Sequence, residues 1–126
     1  MSSLVKVMLE MKARESEDRI AKAACDTLRA LLILGGAGWE SELLDGVAAI
    51  AALSGDISSV ASRSEVEDAL NRLEVEGLIG SRRGKRADPT GASTIEETLY
   101  SLKDFAAAMQ VFGADRAVLL LRKGSG

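Results

Sequence analysis

Apolar residues in the first half of the chain recur every three or four positions, which is the spacing of an amphipathic helix. One such segment covers residues 17–34, and a second covers residues 40–54. Between them lie residues 35–38 (GGAG), which should end the first helix because glycine readily adopts left-handed backbone angles. The same spacing predicts a third helix that begins near Ser62 and ends at Gly77.

Local signals define both ends of this third helix. Ser62 and Glu65 have the spacing of a capping box, in which each side chain binds a free backbone N–H group of the first turn. Gly77 should end the helix, with Leu78 folding back onto its last turn. The apolar face that we expect in the core comprises Val66, Ala69, Leu70 and Leu73.

The second half of the chain alternates between extended and turn-forming sequence. Residues 78–83 predict a short strand, and residues 84–92 predict a loop because they contain glycine, aspartate and proline. Residues 94–102 are rich in β-branched side chains and predict a second strand, so that the two strands form a hairpin. Ser101 and Asp104 are then expected to cap a last helix over residues 102–112.

Both ends of the chain carry segments that fit either a helix or a strand, residues 3–16 and 116–122, and these contain apolar stretches at residues 4–11 and 118–121. A domain of this size rarely needs both stretches for its own core, and exposed apolar surface marks sites for partners. We therefore expect a central domain at residues 17–104 and a homodimer. Residues 1–16 and 105–126 are the candidate dimerisation segments.

Composition narrows the chemistry that the chain can perform. The 126 residues include no histidine and one cysteine, Cys25, so the commonest general base and an internal disulfide are absent. Cys25 lies in an apolar helical stretch and is expected to be buried. Residues 80–86 (GSRRGKR) fail as a phosphate-binding loop, because the glycines are too close and Arg86 replaces the required serine or threonine. We expect no enzymatic activity, no cofactor and no metal.

No targeting segment and no membrane-spanning stretch is evident in the sequence. This favours a cytoplasmic protein that does not associate with membranes.

Two short motifs resemble those of a known family. Residues 73–79 (LEVEGLI) resemble the ending of the recognition helix in archaeal and bacterial winged-helix regulators, and residues 100–102 (YSL) resemble the motif that closes the wing in MarR-like and PadR-like proteins. The likeness covers residues 20–104. It implies a mainly α fold with a small β-hairpin, a winged helix-turn-helix with extra N- and C-terminal segments. It further implies a dimeric transcription regulator whose third helix enters the DNA major groove while the wing touches the phosphate backbone or minor groove.

Charge supports this function in the wing and opposes it in the third helix. Four cations occupy five positions of the wing, where a flexible loop would follow phosphates: Arg82, Arg83, Lys85 and Arg86. Residues 63–76 instead hold two cations against five acids. The helix still offers candidate DNA contacts, because serine binds phosphate and asparagine reads adenine: Ser62, Arg63, Ser64, Asn71 and Arg72.

Two functions therefore follow from the sequence. The first is a regulator that binds double-stranded DNA through the basic wing and the third helix. The alternative is a winged-helix module for protein–protein interaction without sequence-specific DNA binding, which the acidic third helix favours. No segment of the sequence identifies a small-molecule effector.

Overall fold

The computed structural model describes residues 3–55, 60–88, 90–91 and 93–124. Within these ranges the chain is mainly helical with one small antiparallel sheet, which confirms the predicted balance of helix and strand. The helices are α1 (Ser3–Arg14), α2 (Arg19–Ile33), α3 (Glu40–Leu53), α4 (Arg63–Val75), α5 (Phe105–Phe112) and α6 (Arg116–Gly124). The strands are β1 (Ala37–Trp39), β2 (Ile79–Ala87) and β3 (Thr94–Leu102).

The predicted ends of α4 are confirmed. The Ser62 hydroxyl accepts a hydrogen bond from the Glu65 backbone N–H at 3.2 Å, and the Glu65 carboxylate accepts one from the Ser62 N–H at 2.9 Å. Gly77 has a φ of 77°, and the Leu78 N–H donates to the Leu73 carbonyl at 2.9 Å. These bonds satisfy backbone groups that a helix end otherwise leaves free.

The helix α2 runs through the centre of the fold. Every other helix contacts α2. Asp18 caps its first turn, and beyond that turn the helix is buried along almost its whole length. The pattern of small and aliphatic residues in α2 allows this close approach of neighbours on all sides. One core therefore forms around α2, and the Phe112 ring is its largest fully buried side chain.

Both terminal segments are helices that contribute to this core. Val5, Met8 and Met11 of α1 are buried, as is Val118 of α6. The last helices differ from the prediction at one boundary: α5 begins at Phe105 and not at residue 102, because Leu102 is still paired in β3 and Asp104 alone caps the helix. The division of the chain at residues 16 and 104, and the dimerisation of its ends, stay predictions.

A buried ion cluster ties the terminal segments to α2. The Arg29 guanidinium binds both carboxylate oxygens of Glu15 at 2.8 Å, Asp26 at 2.8 Å and Asp115 at 2.9 Å. Burial opposes the charge of Arg29, but its hydrogen bonds with Glu15 and Asp115 raise its pKa above the ordinary value. Lys12 of α1 completes the cluster by binding Asp115 at 2.7 Å.

The sheet has the strand order β1-β3-β2, with β3 in the middle. The strand β1 is absent from the prediction, which treated residues 35–38 only as a turn. The turn is made by Gly35 and Gly36, with φ of 89° and 111°, and the chain then pairs with β3, placing Gly38 opposite Tyr100. A Cβ atom at Gly38 would lie 2.6 Å from the end of the Leu34 side chain, so a larger residue here would force that side chain to move.

The hairpin is longer than predicted. Residues 84–87 belong to β2 and pair with β3 as far as Ala87 opposite Thr94, so Lys85 and Arg86 lie in the ladder and not in a flexible loop. Because Gly84 has no side chain, the Trp39 ring can pack beside it, with its nearest atom 3.1 Å from where a Cβ would lie. Gly84, predicted from the sequence to lie in a loop, is therefore a strand residue against which the Trp39 ring packs.

No helix in the described ranges is long and apolar enough to cross a membrane.

Candidate nucleic-acid interface

The helix α4 presents three distinct surfaces around its buried side. Directly opposite the core lies an outward face of exposed residues, comprising Ser64, Asp68, Asn71 and Val75. One flank contacts the hairpin, and the other faces α1 and the start of α2. The predicted DNA contacts of α4 are distributed over these three surfaces and do not all lie together.

The outward face holds two of the predicted contacts. Ser64 and Asn71 are exposed there, with the acid Asp68 between them. Ser62 precedes the helix, but its hydroxyl is occupied by the cap and lies 3.2 Å from the Ser64 hydroxyl. The most exposed large apolar side chain of the described chain, Val75, is 87% exposed on this face.

The hairpin flank of α4 is held by polar contacts. Arg63 pairs with Glu67 at 3.1 Å, so its charge is already shared with an acid of the same helix. Glu74 accepts a hydrogen bond from the Ser81 hydroxyl of β2 at 3.1 Å. These contacts place the hairpin directly beside the acidic flank of α4.

The remaining predicted helix contact, Arg72, lies on the opposite flank. It is half-buried and lines a cleft against α1, so the structure does not bring it together with Asn71 or the hairpin. On the same flank Glu65 binds Arg19 at 2.7 and 3.0 Å. The hydrogen bond and charge of Arg19, with the backbone bond from Ser62, lower the pKa of Glu65 to about 2.

The four cations of the hairpin separate onto two faces, because successive side chains of a strand point in opposite directions. Arg83 and Lys85 share the face of Ser81, which contacts α4, and we call this the α4 side. Arg82 and Arg86 lie on the other face, which we call the Trp39 side because Arg86 lies over that ring. The four cations therefore do not share one face of the described hairpin.

On the α4 side the two cations are exposed. Arg83 donates a hydrogen bond to the Thr98 hydroxyl at 3.1 Å and lies 3.8 Å from the Glu96 carboxylate. Lys85 stands opposite Glu96 in the ladder, yet within the described residues it has no carboxylate closer than 4 Å. Both side chains can still reach solvent and a ligand there.

On the Trp39 side the two cations differ. Arg86 lies 5.6 Å from the centre of the Trp39 ring, donates to the Ser41 hydroxyl at 3.1 Å and pairs with Glu97 at 3.5 Å. Arg82 is exposed and has no ion pair among the residues described. Arg86 thus fixes the hairpin to Trp39 and to the start of α3, whereas the Arg82 side chain is free to bind a ligand.

Glu97 joins the hairpin to the start of α3. Its carboxylate accepts a 2.6 Å hydrogen bond from the Ser41 backbone N–H. Partial burial raises the pKa of Glu97, but the hydrogen bonds of Ser41 and the charges of Arg86 and Arg83 outweigh it and leave the pKa below its ordinary value. The strand alternation of residues 94–102 was the only sequence signal for this role, because it places Glu96 and Glu97 on opposite faces.

A groove lies between α3, the start of α4 and the hairpin, and residues from both faces of the hairpin line it. Its lining includes the acids Glu40, Glu96 and Glu97 and the cations Arg63 and Arg83. Burial raises the pKa of the adjacent Tyr100, and the charges of Glu40, Glu74 and Glu67 raise it further. The groove is thus lined by three acids and two cations.

Comparisons with protein-family models, with curated proteins and with solved structures gave no match to this chain. In the part of the chain that the structure describes, no group of three or more acidic or cysteine residues is arranged to hold a metal ion. Cys25 is fully buried, as predicted, and burial raises its pKa to about 12.

Proposed function

We propose that this protein is a winged-helix protein that binds double-stranded DNA, with the β2–β3 hairpin as its leading contact. In this proposal α2, α3 and α4 form the helical part, β2 and β3 form the wing, and β1 closes the sheet beside them. The observation that carries the proposal is that Arg82 and Lys85, which lie on opposite faces of the hairpin, are both exposed and have no carboxylate within 4 Å among the described residues. The proposed role is non-catalytic.

The cations of the wing have different proposed roles. Arg82 and Lys85 have no acidic partner among the described residues and can bind phosphate groups. Each such contact releases counterions from the DNA. Arg83 contributes less, since its charge is shared with Glu96, although an exposed pair at 3.8 Å is weak. Arg86 supports binding indirectly by holding the hairpin against Trp39 and Ser41.

The helix α4 contributes little to affinity in this proposal. Ser64 and Asn71 are exposed and can reach a base or phosphate, but Asp68 lies between them. Phosphate contacts position a protein on DNA, whereas base contacts give specificity. A wing-led contact therefore predicts binding that depends strongly on salt and weakly on DNA sequence.

The direct test is a salt titration of duplex binding, followed by fluorescence anisotropy. The double variant Arg82→Ala/Lys85→Ala should bind more weakly, and the slope of log K against log salt should fall by about 2. The matched control is Lys6→Ala/Arg14→Ala, which removes the same charge from exposed positions on α1. Absence of binding at low salt, or equal losses in both double variants, would exclude the proposal.

A homodimer is part of the same proposal. Leu119 and Leu120 of α6 are 56% and 48% exposed, and exposed apolar side chains that lie together mark sites for partners. Two wings on one dimer would contact a duplex at two places, which raises the overall affinity.

The second candidate function is protein binding through α4. It is favoured by Val75, which is 87% exposed beside the acids Glu74 and Glu76. A partner with a basic rim around an apolar pocket would fit this surface. The salt titration separates the candidates, because a protein-binding α4 requires no affinity for duplex DNA.

A further inference from the structure

A cleft of about 150 Å³ lies between α1 and α4, on the flank of α4 that faces away from the hairpin. Its floor is apolar. Met11 and Ala21 are buried there, and Val7 is half-buried beside them. A space of this size accommodates a molecule about as large as benzene, and the apolar floor can hold an aliphatic group.

Four charged side chains surround this floor. Arg14 and Glu10 come from α1, and Arg72 and Glu76 come from α4. Each arginine is four residues from the glutamate of its own helix, a spacing that commonly gives an ion pair. Among the described residues, however, neither arginine has a carboxylate within 4 Å. Two cations and two anions that do not pair with one another therefore surround the apolar floor of the cleft.

We propose that this cleft binds a small zwitterion, a free α-amino acid with an aliphatic side chain. Arg14 and Arg72 would bind its carboxylate, because the guanidinium group matches a carboxylate with two parallel N–H donors. Glu10 and Glu76 would bind its ammonium group. The side chain would rest on Met11, Val7 and Ala21.

The balance of charge decides this choice of ligand. A simple anion would meet repulsion from Glu10 and Glu76, and a simple amine would meet repulsion from Arg14 and Arg72. A zwitterion with an apolar side chain satisfies both pairs and the floor together. Because the cleft is built from α1, α2 and α4 alone, the proposal does not depend on whether the hairpin binds DNA.

The test is a calorimetric titration of the full chain with L-leucine in the absence of DNA. Two matched compounds each lack one charged group: 4-methylpentanoate has no ammonium, and 3-methylbutylamine has no carboxylate. We expect L-leucine to bind with a millimolar or lower Kd and each matched compound to bind at least about tenfold more weakly. Equal binding of 4-methylpentanoate would overturn the zwitterion assignment, as would no heat of binding for L-leucine.

Variants locate the binding. Arg72→Gln should weaken L-leucine binding by about tenfold or more, whereas the control Arg116→Gln, at an exposed position of α6, should leave it unchanged. Amide chemical shifts of α1 and α4 should move with L-leucine, and those of β2 and β3 should not. Unchanged affinity of the Arg72 variant, with its thermal unfolding also unchanged, would place any binding elsewhere and overturn the proposal.

Discussion

The guanidinium carbon of Arg86 lies 5.6 Å from the centre of the Trp39 ring. Trp39 precedes the first residue of α3, and Arg86 also donates a hydrogen bond to Ser41 in the first turn of that helix. The contact therefore fixes the far part of the hairpin to the helical part of the fold. Of the four cations at residues 82–86, Arg86 is therefore the one that orients the hairpin, and the other three can contact a ligand directly.

Loss of this contact should reduce stability. We expect Arg86→Ala to lower the free energy of unfolding by about 1 kcal/mol, because a partly buried cation–π contact and the bonds to Ser41 and Glu97 are lost together. Arg82→Ala, its neighbour on the same face of the strand, should change the free energy by less than about 0.5 kcal/mol. Urea unfolding measures both variants, and equal effects would show that Arg86 does not anchor the hairpin.

The pair between Glu65 and Arg19 predicts a pH dependence of stability. The pKa of Glu65 falls from its ordinary value of 4.5 to about 2 in the folded protein. A lowered folded pKa gives stability that is fully present above about pH 4.5 and is lost as the pH falls towards 2. Wild type should therefore be more stable than Glu65→Gln at pH 6, and the difference should shrink at pH 3.

The Gln variant is well matched to this question because glutamine can keep the capping hydrogen bond from the Ser62 N–H. Urea midpoints of both proteins at the two pH values give the comparison. A difference that stays constant with pH would contradict a contribution from the carboxylate charge.

The acids of α4 should limit DNA affinity. Removing two of them with Glu67→Gln/Asp68→Asn should strengthen duplex binding several-fold at low salt, because repulsion of the phosphates is reduced. The control Glu10→Gln/Glu17→Gln removes the same charge from exposed positions outside α4 and should have a smaller effect. Anisotropy titrations with one duplex measure both. Equal gains would mean that only net charge matters and that α4 lies far from the DNA.

The exposed leucines of α6 should carry the dimer contact. Leu119→Ser/Leu120→Ser is expected to convert a dimer to a monomer in light scattering at micromolar concentration. Val75→Ser removes a still more exposed apolar side chain, 87% exposed on α4, and should leave the dimer intact. A wild-type protein that is monomeric under these conditions would exclude the dimer.

What the sequence predicts well in this protein is local in origin. The Ser62–Glu65 capping box and the Gly77 helix end each depend on residues within a few positions of one another. Neighbouring residues in the chain are always close in space, so these features form wherever the segment is placed. The sequence also determines the opposite charge of residues 82–86 and of α4.

Tertiary structure decided the features that depend on distant partners. The strand β1 exists because β3 lies beside it, and β2 continues through Gly84 because its residues pair with β3 as far as Ala87. Arg86 and Arg72 carry the same charge, yet one lies over a ring from β1 and the other turns towards α1. No periodicity contains this information, because an arginine's role depends on which side chains the fold brings within reach of its guanidinium group.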